Sequence, residues 1–367
     1  MTTPAQDLIS IRAQIDAVIA KLGSEEPGDP GPIDPEWEIP LATLAGEPGY
    51  LNEPRLLECA NGDLLCIYRK GTAHVSNGGT LEQRRSTDRG LTWGDPSTLQ
   101  AVAGRDCRNH AVGITPTGRL LVFNRTSNVA VTDKHWRHYS DDNGLTWATD
   151  EFFPIASCAA FGRVVQTTVG LMRMCYLGNK IACEFSTDDG LTWGSVTYPW
   201  NASQQNATVT EPFAIALDSS RIVVVMRDDQ DGGRYFWSKS ADGGATWSYP
   251  AGARWTTGVP VPAAPMSFAL HGGKVHAAWD GRTGFWKGYS TETDIEAFWS
   301  NPGHAWQSGV AALSIDHSSV IGAGSSATAG EYGYTDLLSI SEGVLSAWYD
   351  SKTGIGTSEC RIVVKSI

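Results

Sequence analysis

The chain has no apolar run approaching the ~20 residues that a membrane-spanning helix needs, so insertion into a bilayer is not expected. Its first residues carry neither the basic nor the apolar region of a secretory signal, and export by the general pathway is not expected either. Basic residues are in deficit. With 28 Lys and Arg against 40 Asp and Glu, the formal charge is -12, which argues against nucleic acid or an anionic membrane as partner through the overall field. No His or Cys cluster has metal-ligand spacing, so no metal site is assigned, though metal binding is left open, and no cofactor is expected. The 7 cysteines (Cys59, Cys66, Cys107, Cys158, Cys175, Cys183 and Cys360) form no C-x-x-C pair and read as mostly buried free thiols. Helical periodicity is missing everywhere except residues 5–22.

What is abundant points the other way. There are 40 glycines and 14 tryptophans, and only 19% of residues are charged, which fits many short strands joined by tight turns. The class expected is all-β, with 367 residues forming one large domain and a small appendage.

The appendage is residues 1–23. Leu8, Ile11, Ile15, Val18 and Leu22 recur at alternating spacings of three and four, the seam of a coiled coil. So short a helix is marginal alone, so self-association is expected, and successive Ile at the seam leans towards a trimer. The alternative is a lone amphipathic helix packed on the main domain. Gly23 ends the helix, and residues 24–40 are a Pro, Gly and acid-rich linker.

The remaining residues, 41–367, repeat. Ser86–Trp93, Ser140–Trp147, Ser186–Trp193 and Ser240–Trp247 share S-x-D-x-G-x-T-W, and a decayed fifth copy starts at Ser290 in YSTETDIEAFW. Interleaved with these are six apolar hairpins, RLLECANGDLLCIYR, HAVGITPTGRLLVFNR, RVVQTTVGLMRMCY, PFAIALDSSRIVVVMR, SFALHGGKVHAAW and TDLLSISEGVLSAWY, with turns near Gly62, Gly118, Gly170, Ser220, Gly273 and Gly343. Two hairpins per repeat of about fifty residues make a four-stranded blade, and six repeats make a six-bladed β-propeller. Within each box the Asp and Ser side chains suit backbone N–H groups of a turn, and Trp suits the space between sheets. Asp88, Asp142, Asp188 and Asp242 are therefore assigned no catalytic role.

In a propeller the inner strand of each blade lines the axis. Residues at those positions include Arg55, Arg108, Arg163, Glu211 and Tyr334, with Arg227 and Arg282 just after the fourth and fifth hairpins. Convergent guanidinium groups in an acidic protein suit an anionic ligand. For any one of them, pairing with a neighbouring carboxylate is the alternative.

The boxes resemble the Asp boxes, or bacterial neuraminidase repeats, of the sialidase superfamily, and the resemblance covers about nine-tenths of the chain. It implies that three arginines grip a sugar carboxylate while a glutamate activates a tyrosine that attacks the anomeric carbon. Arg55 in EPRLL, Glu211 in TEPFAIAL, Arg227 in VVVMRDD and Arg282 in AWDGRTGFW resemble that set, and Tyr334 in EYGYTDLLSI is the nucleophile candidate ahead of Tyr332. The family's acid–base aspartate should precede the first box by about a dozen residues, where GTAHVSNGGTLEQRRS contains no Asp. His74 stands there instead, either as a proton donor or as a ligand contact in an inactive pocket.

Two functions are implied: a multimeric module that recognises acidic glycans, or an exo-glycosidase of the sialidase type. Coiled coil, linker and propeller together resemble a bacteriophage tail receptor-binding protein, virion-associated and attached through its N-terminal arm to a tail scaffold. Otherwise the chain would be cytoplasmic or released by lysis.

Overall fold

The computed structural model describes residues 42–44, 50–128, 131–152, 159–177, 180–201, 208–228, 235–249, 265–281, 287–302, 311–313, 332–351 and 360–366. They belong to the compact unit Glu38–Ile367; residues 5–22, and with them the expected coiled coil, lie outside the description.

The chain is an all-β propeller. After β1 (Ala42–Leu44), the first blade is β2 (Tyr50–Glu58), β3 (Leu64–Gly71), β4 (Thr80–Ser86) and β5 (Ser97–Gln100). The second is β6 (Asp106–Ile114), β7 (Leu120–Asn128), β8 (Val131–Ser140) and β9 (Ala148–Phe152). The inner segment of the third repeat is broken into β10 (Ala159–Ala160), β11 (Gly162–Arg163) and β12 (Val165–Gln166) before β13 (Leu171–Leu177), β14 (Lys180–Ser186) and β15 (Gly194–Trp200). Of these pieces β11 pairs in parallel with β6, and the other two pair with β13. The fourth sheet is β16 (Val209–Ala216), β17 (Ile222–Asp228) and β18 (Tyr235–Ser240). The fifth is β19 (Ser267–His271), β20 (Lys274–Gly281), β21 (Lys287–Asp294) and β22 (Ala311–Leu313), and the last is β23 (Tyr332–Ile340), β24 (Gly343–Ser351) and β25 (Cys360–Ser366).

Inner strands β2, β6, β11, β16, β19 and β23 touch in that order, and β23 returns to β2. The ring is closed by pairing β1 with β25, so the first and last strands share a sheet and neither leaves an edge there. The expectation of six four-stranded blades is corrected to five complete blades. The sheet β16–β18 has three strands among the described residues, and only the bridge Lys239–Ser248 lies where its fourth strand would run.

The boxes are turn clamps on the outer hairpins. In each, the Ser hydroxyl donates to the Asp carboxylate (2.8 Å from Ser86 to Asp88) and accepts from the box glycine N–H, while Asp takes the Thr N–H. Trp147, Trp193 and Trp247 pack on the apolar clusters between successive sheets. The decayed fifth box is instead a short helix, α1 (Ile295–Ser300). With its glycine lost, the turn cannot form, and Phe298 and Trp299 serve the same inter-sheet core.

Four of the cysteines, Cys59, Cys66, Cys107 and Cys183, are free and buried, whereas Cys175 is disulfide-bonded. Among the described residues no helix is long and apolar enough to cross a membrane.

Candidate functional site at the axial mouth

Four inner strands carry a bulge near their start. The register slips between Asn52 and Arg55, Arg108 and Ala111, Thr210 and Phe213, and Gly333 and Asp336. Inside each bulge one non-glycine residue is left-handed: Glu53 (φ 55°), Asn109 (φ 51°), Glu211 (φ 49°) and Tyr334 (φ 55°). That conformation costs ~1–2 kcal/mol per residue and is held where surrounding structure enforces it, typically at sites of function. The bulge re-aims these side chains towards the axis.

The second strands supply the charge. Arg69, Arg125 and Arg227 occupy one register position, opposite Asn52, Arg108 and Thr210 in turn. Sequence reasoning selected only Arg227. The signal for the other two was present, since three of the six hairpin copies end in Arg at this same place.

Around the mouth these residues form three hydrogen-bonded groups. The Tyr334 hydroxyl donates to Glu211 Oε1 at 2.7 Å, and Arg227 Nη1 donates to Glu211 Oε2 at 2.6 Å. Asn109 accepts from Arg125 Nε at 2.8 Å, donates from its amide to the Tyr176 hydroxyl at 3.1 Å, and gives its backbone N–H to Glu53 at 2.9 Å. Arg69 grips both oxygens of Asp106, at 2.7 and 3.0 Å. Beneath them Phe161 packs edge-on to Tyr176 and tilted against Tyr334.

Electrostatics separate the two acids. Burial, then the Glu211 and Glu53 carboxylates, push the Tyr334 phenol well above its ordinary value, so it stands protonated as a donor. Burial alone would raise the Glu53 carboxyl, but the neighbouring His110 ring and the Arg108 guanidinium outweigh it and hold the group well below the usual range. His110 Nδ1 is 3.7 Å from Glu53 Oε2.

Residues 62–346 match the BNR repeat-like domain family. The chain belongs to that family. No curated protein matches it. Among solved structures this BNR repeat-like propeller is similar to a Dyadobacter fermentans protein of unknown function (TM-score 0.71, 16% identity, 90% of this chain and 99% of that one). It is also similar to the NanB sialidase of Streptococcus pneumoniae (0.64, 12%, 91% and 70%) and to Trypanosoma rangeli sialidase with the inhibitor DANA (0.61, 14%, 86% and 55%). At these identities the likeness is one of fold. Neither the family nor these structures support the bacteriophage-tail arrangement.

Of the expected site residues, the structure brings Tyr334, Glu211 and Arg227 together. Arg108 stands beside them, 11% exposed, with Asp106 Oδ2 at 3.8 Å. His74 lies on the loop after β3, half-buried, its Nδ1 3.1 Å from the Tyr50 hydroxyl. Arg55 and Arg163 both pair with the buried Asp336 and are not bonded to the Tyr334–Glu211–Arg227 set. The reason is charge, because Asp336 is buried on the axis and a nearby guanidinium meets it at lower cost than one exposed to a ligand. Arg282 and the side chain of Tyr332 lie outside the described residues. Among those residues no group of three or more His, Cys, Asp or Glu is placed to hold a metal.

Proposed function

We propose that the axial mouth of this propeller binds an anionic glycan of the sialic-acid kind, with Arg108 as the principal contact for its carboxylate. One observation carries the reading. Arg108 Nε has no partner among the described residues, and its nearest carboxylate, Asp106, is already held by both arms of Arg69. The Arg108 charge is shared with the Glu53 and Asp106 carboxylates, but that unpartnered N–H is one a ligand carboxylate can satisfy. Arg227 and Arg125, tied to Glu211 and Asn109, then set the positions of those groups. Titration with a simple sialoside, alongside a glycan array, tests this: wild type should bind acidic glycans, and Arg108→Gln should bind them more weakly. Residues 5–22 would join propellers in this reading, and linked sites gain avidity of ~10²–10⁴; light scattering measures that assembly.

A second reading, an exo-glycosidase, is favoured by the Tyr334–Glu211 hydrogen bond. Tyrosine suits attack beside a substrate carboxylate, and sialidases are the stated exception to the two-carboxylate rule of glycoside hydrolysis. In that step the Tyr334 oxygen bonds to the anomeric carbon, its proton passes to Glu211, and the bond to the leaving oxygen breaks. His74 or water would protonate the leaving group. Hydrolysis of a fluorogenic sialoside between about pH 5 and 8 separates the two readings, because a binding module releases no product.

A further inference from the structure

Below the mouth the propeller axis is crossed by a plug of three charged side chains. Arg163 reaches from β11 to the far side, donating Nη1 to the Leu56 carbonyl at 2.9 Å and Nη2 to Asp336 Oδ2 at 2.5 Å and the Leu337 carbonyl at 2.7 Å. Asp336 Oδ2 also accepts the Leu56 N–H at 2.8 Å. That leaves Arg55, 1% exposed, with only a long contact to Asp336 Oδ1 at 3.6 Å, the Pro54 carbonyl at 3.5 Å and the face of Phe161 at 4.7 Å.

The charges do not balance. Two buried guanidinium groups share one carboxylate, and Arg55 Nε and Nη2 and Arg163 Nε have no hydrogen-bond partner among the described residues. Water can accept these N–H groups but cannot cancel the surplus positive charge, and a buried uncompensated ion costs several kcal/mol. On the side away from Tyr334, a cavity of about 480 Å³ runs up to Arg163 between the ends of β2, β6 and β23, lined also by Leu57, Gly113, Val164, Leu338 and Glu58, whose carboxylate is paired with Arg89 at 2.6 Å. Arg163 keeps 14% exposure. The plug can thus be reached from solvent without passing the mouth.

We infer that a small monovalent anion, of which chloride is the type, binds on the propeller axis between Arg55 and Arg163, entering through this rear cavity. The excess is a single positive charge, which one monovalent anion cancels. The site is independent of the glycan reading, since no residue of the Tyr334–Glu211–Arg227 set belongs to it. Its role is to complete the charge of a plug that ties the third repeat to the strands where the ring closes.

The test is thermal unfolding of the full chain at constant ionic strength, with chloride replaced stepwise by gluconate. Wild type should melt roughly 3–5 °C higher at a hundred times Kd than without chloride, with a saturable dependence. Arg55→Met should lose that dependence, and Arg108→Gln, at the mouth, should keep it. Crystals soaked in bromide should show an anomalous peak beside Arg55. A wild-type melting temperature indifferent to chloride overturns the inference whether or not Arg55→Met folds. So does a chloride shift that Arg108→Gln abolishes, or a bromide peak confined to the mouth.

Discussion

The Tyr334 hydroxyl donates to Glu211 Oε1 over 2.7 Å, and both residues hold left-handed backbones, at φ 55° and 49°. They come from inner strands of different sheets, and each is presented by a bulge, so the pair is built by strain at both ends. Replacing Tyr334 with Phe keeps the ring on Phe161 and removes the proton donor. If the chain hydrolyses sialosides, the rate should fall by ~10² or more with little change in KM. If it only binds them, affinity should change by less than about ten-fold, the worth of one neutral hydrogen bond. Steady-state kinetics and calorimetric titration read the two outcomes apart.

Arg108 carries the binding proposal and is therefore the most informative arginine to change. Arg108→Gln removes a charge-assisted contact of ~1.5–3 kcal/mol, so an acidic glycan should bind roughly ten- to a hundred-fold more weakly. Neutral glycans should be unaffected. Equal losses for both ligand types, measured by titration at fixed salt, would mean that Arg108 shapes the mouth without reading charge.

The parts of this molecule that were legible in the sequence are those fixed by local chemistry. A box clamps its own turn through Ser86, Asp88, Gly90 and Thr92, all within one heptapeptide, so the pattern survives in the letters. Tyr334, Glu211 and Arg227 were legible because their flanking motifs are also short. Arg55 and Arg163 were not, since a guanidinium near the axis reads the same whether it faces a ligand or a buried carboxylate. The deciding residue, Asp336, is 280 positions from the Leu56 amide it accepts. Arg69 and Arg125 were written at the ends of two hairpins, and the bulge register places them level with Arg227.

Between the second and third sheets, Arg173 is directly opposite Glu184 and pairs with it, both fully buried. Its guanidinium also lies over Phe123, Phe152 and Trp193, at 5.0, 4.5 and 5.8 Å. Arg173→Met should cost about 3–5 kcal/mol, because it strips a buried carboxylate of its counterion. Adding Glu184→Leu should recover most of that loss, since well-packed apolar residues replace buried pairs at little cost. Urea unfolding of the two variants decides it; a double variant no more stable than the single one would show that the aromatic contacts dominate.

His138 is fully buried, its Nε2 3.0 Å from Asn124 Oδ1 and its Nδ1 2.8 Å from Thr149 Oγ1, while the Asn124 amide donates to Gln100 at 2.7 Å. With the Asn124 amide committed to Gln100, its oxygen faces the ring and Nε2 carries the proton, which leaves Nδ1 to accept from Thr149. Protonating Nδ1 would break that arrangement inside an apolar sheet, and burial, only slightly offset by Asp150, lowers the His138 pKa to about 4. The unfolded chain takes up its proton near the ordinary value of 6.5. A folded pKa below the unfolded one means that the unfolded state binds more protons between those limits, so stability is intact above about pH 6.5 and declines as pH falls towards 4. The expected loss from this residue is roughly 2–3 kcal/mol at the acid end. His138→Gln keeps a side-chain donor and acceptor but cannot titrate, so its urea midpoint should fall less than wild type's between about pH 7 and 4.5. Parallel losses in the two proteins would assign the acid sensitivity to carboxylates elsewhere, and a larger loss in the variant would reverse the sign argued here.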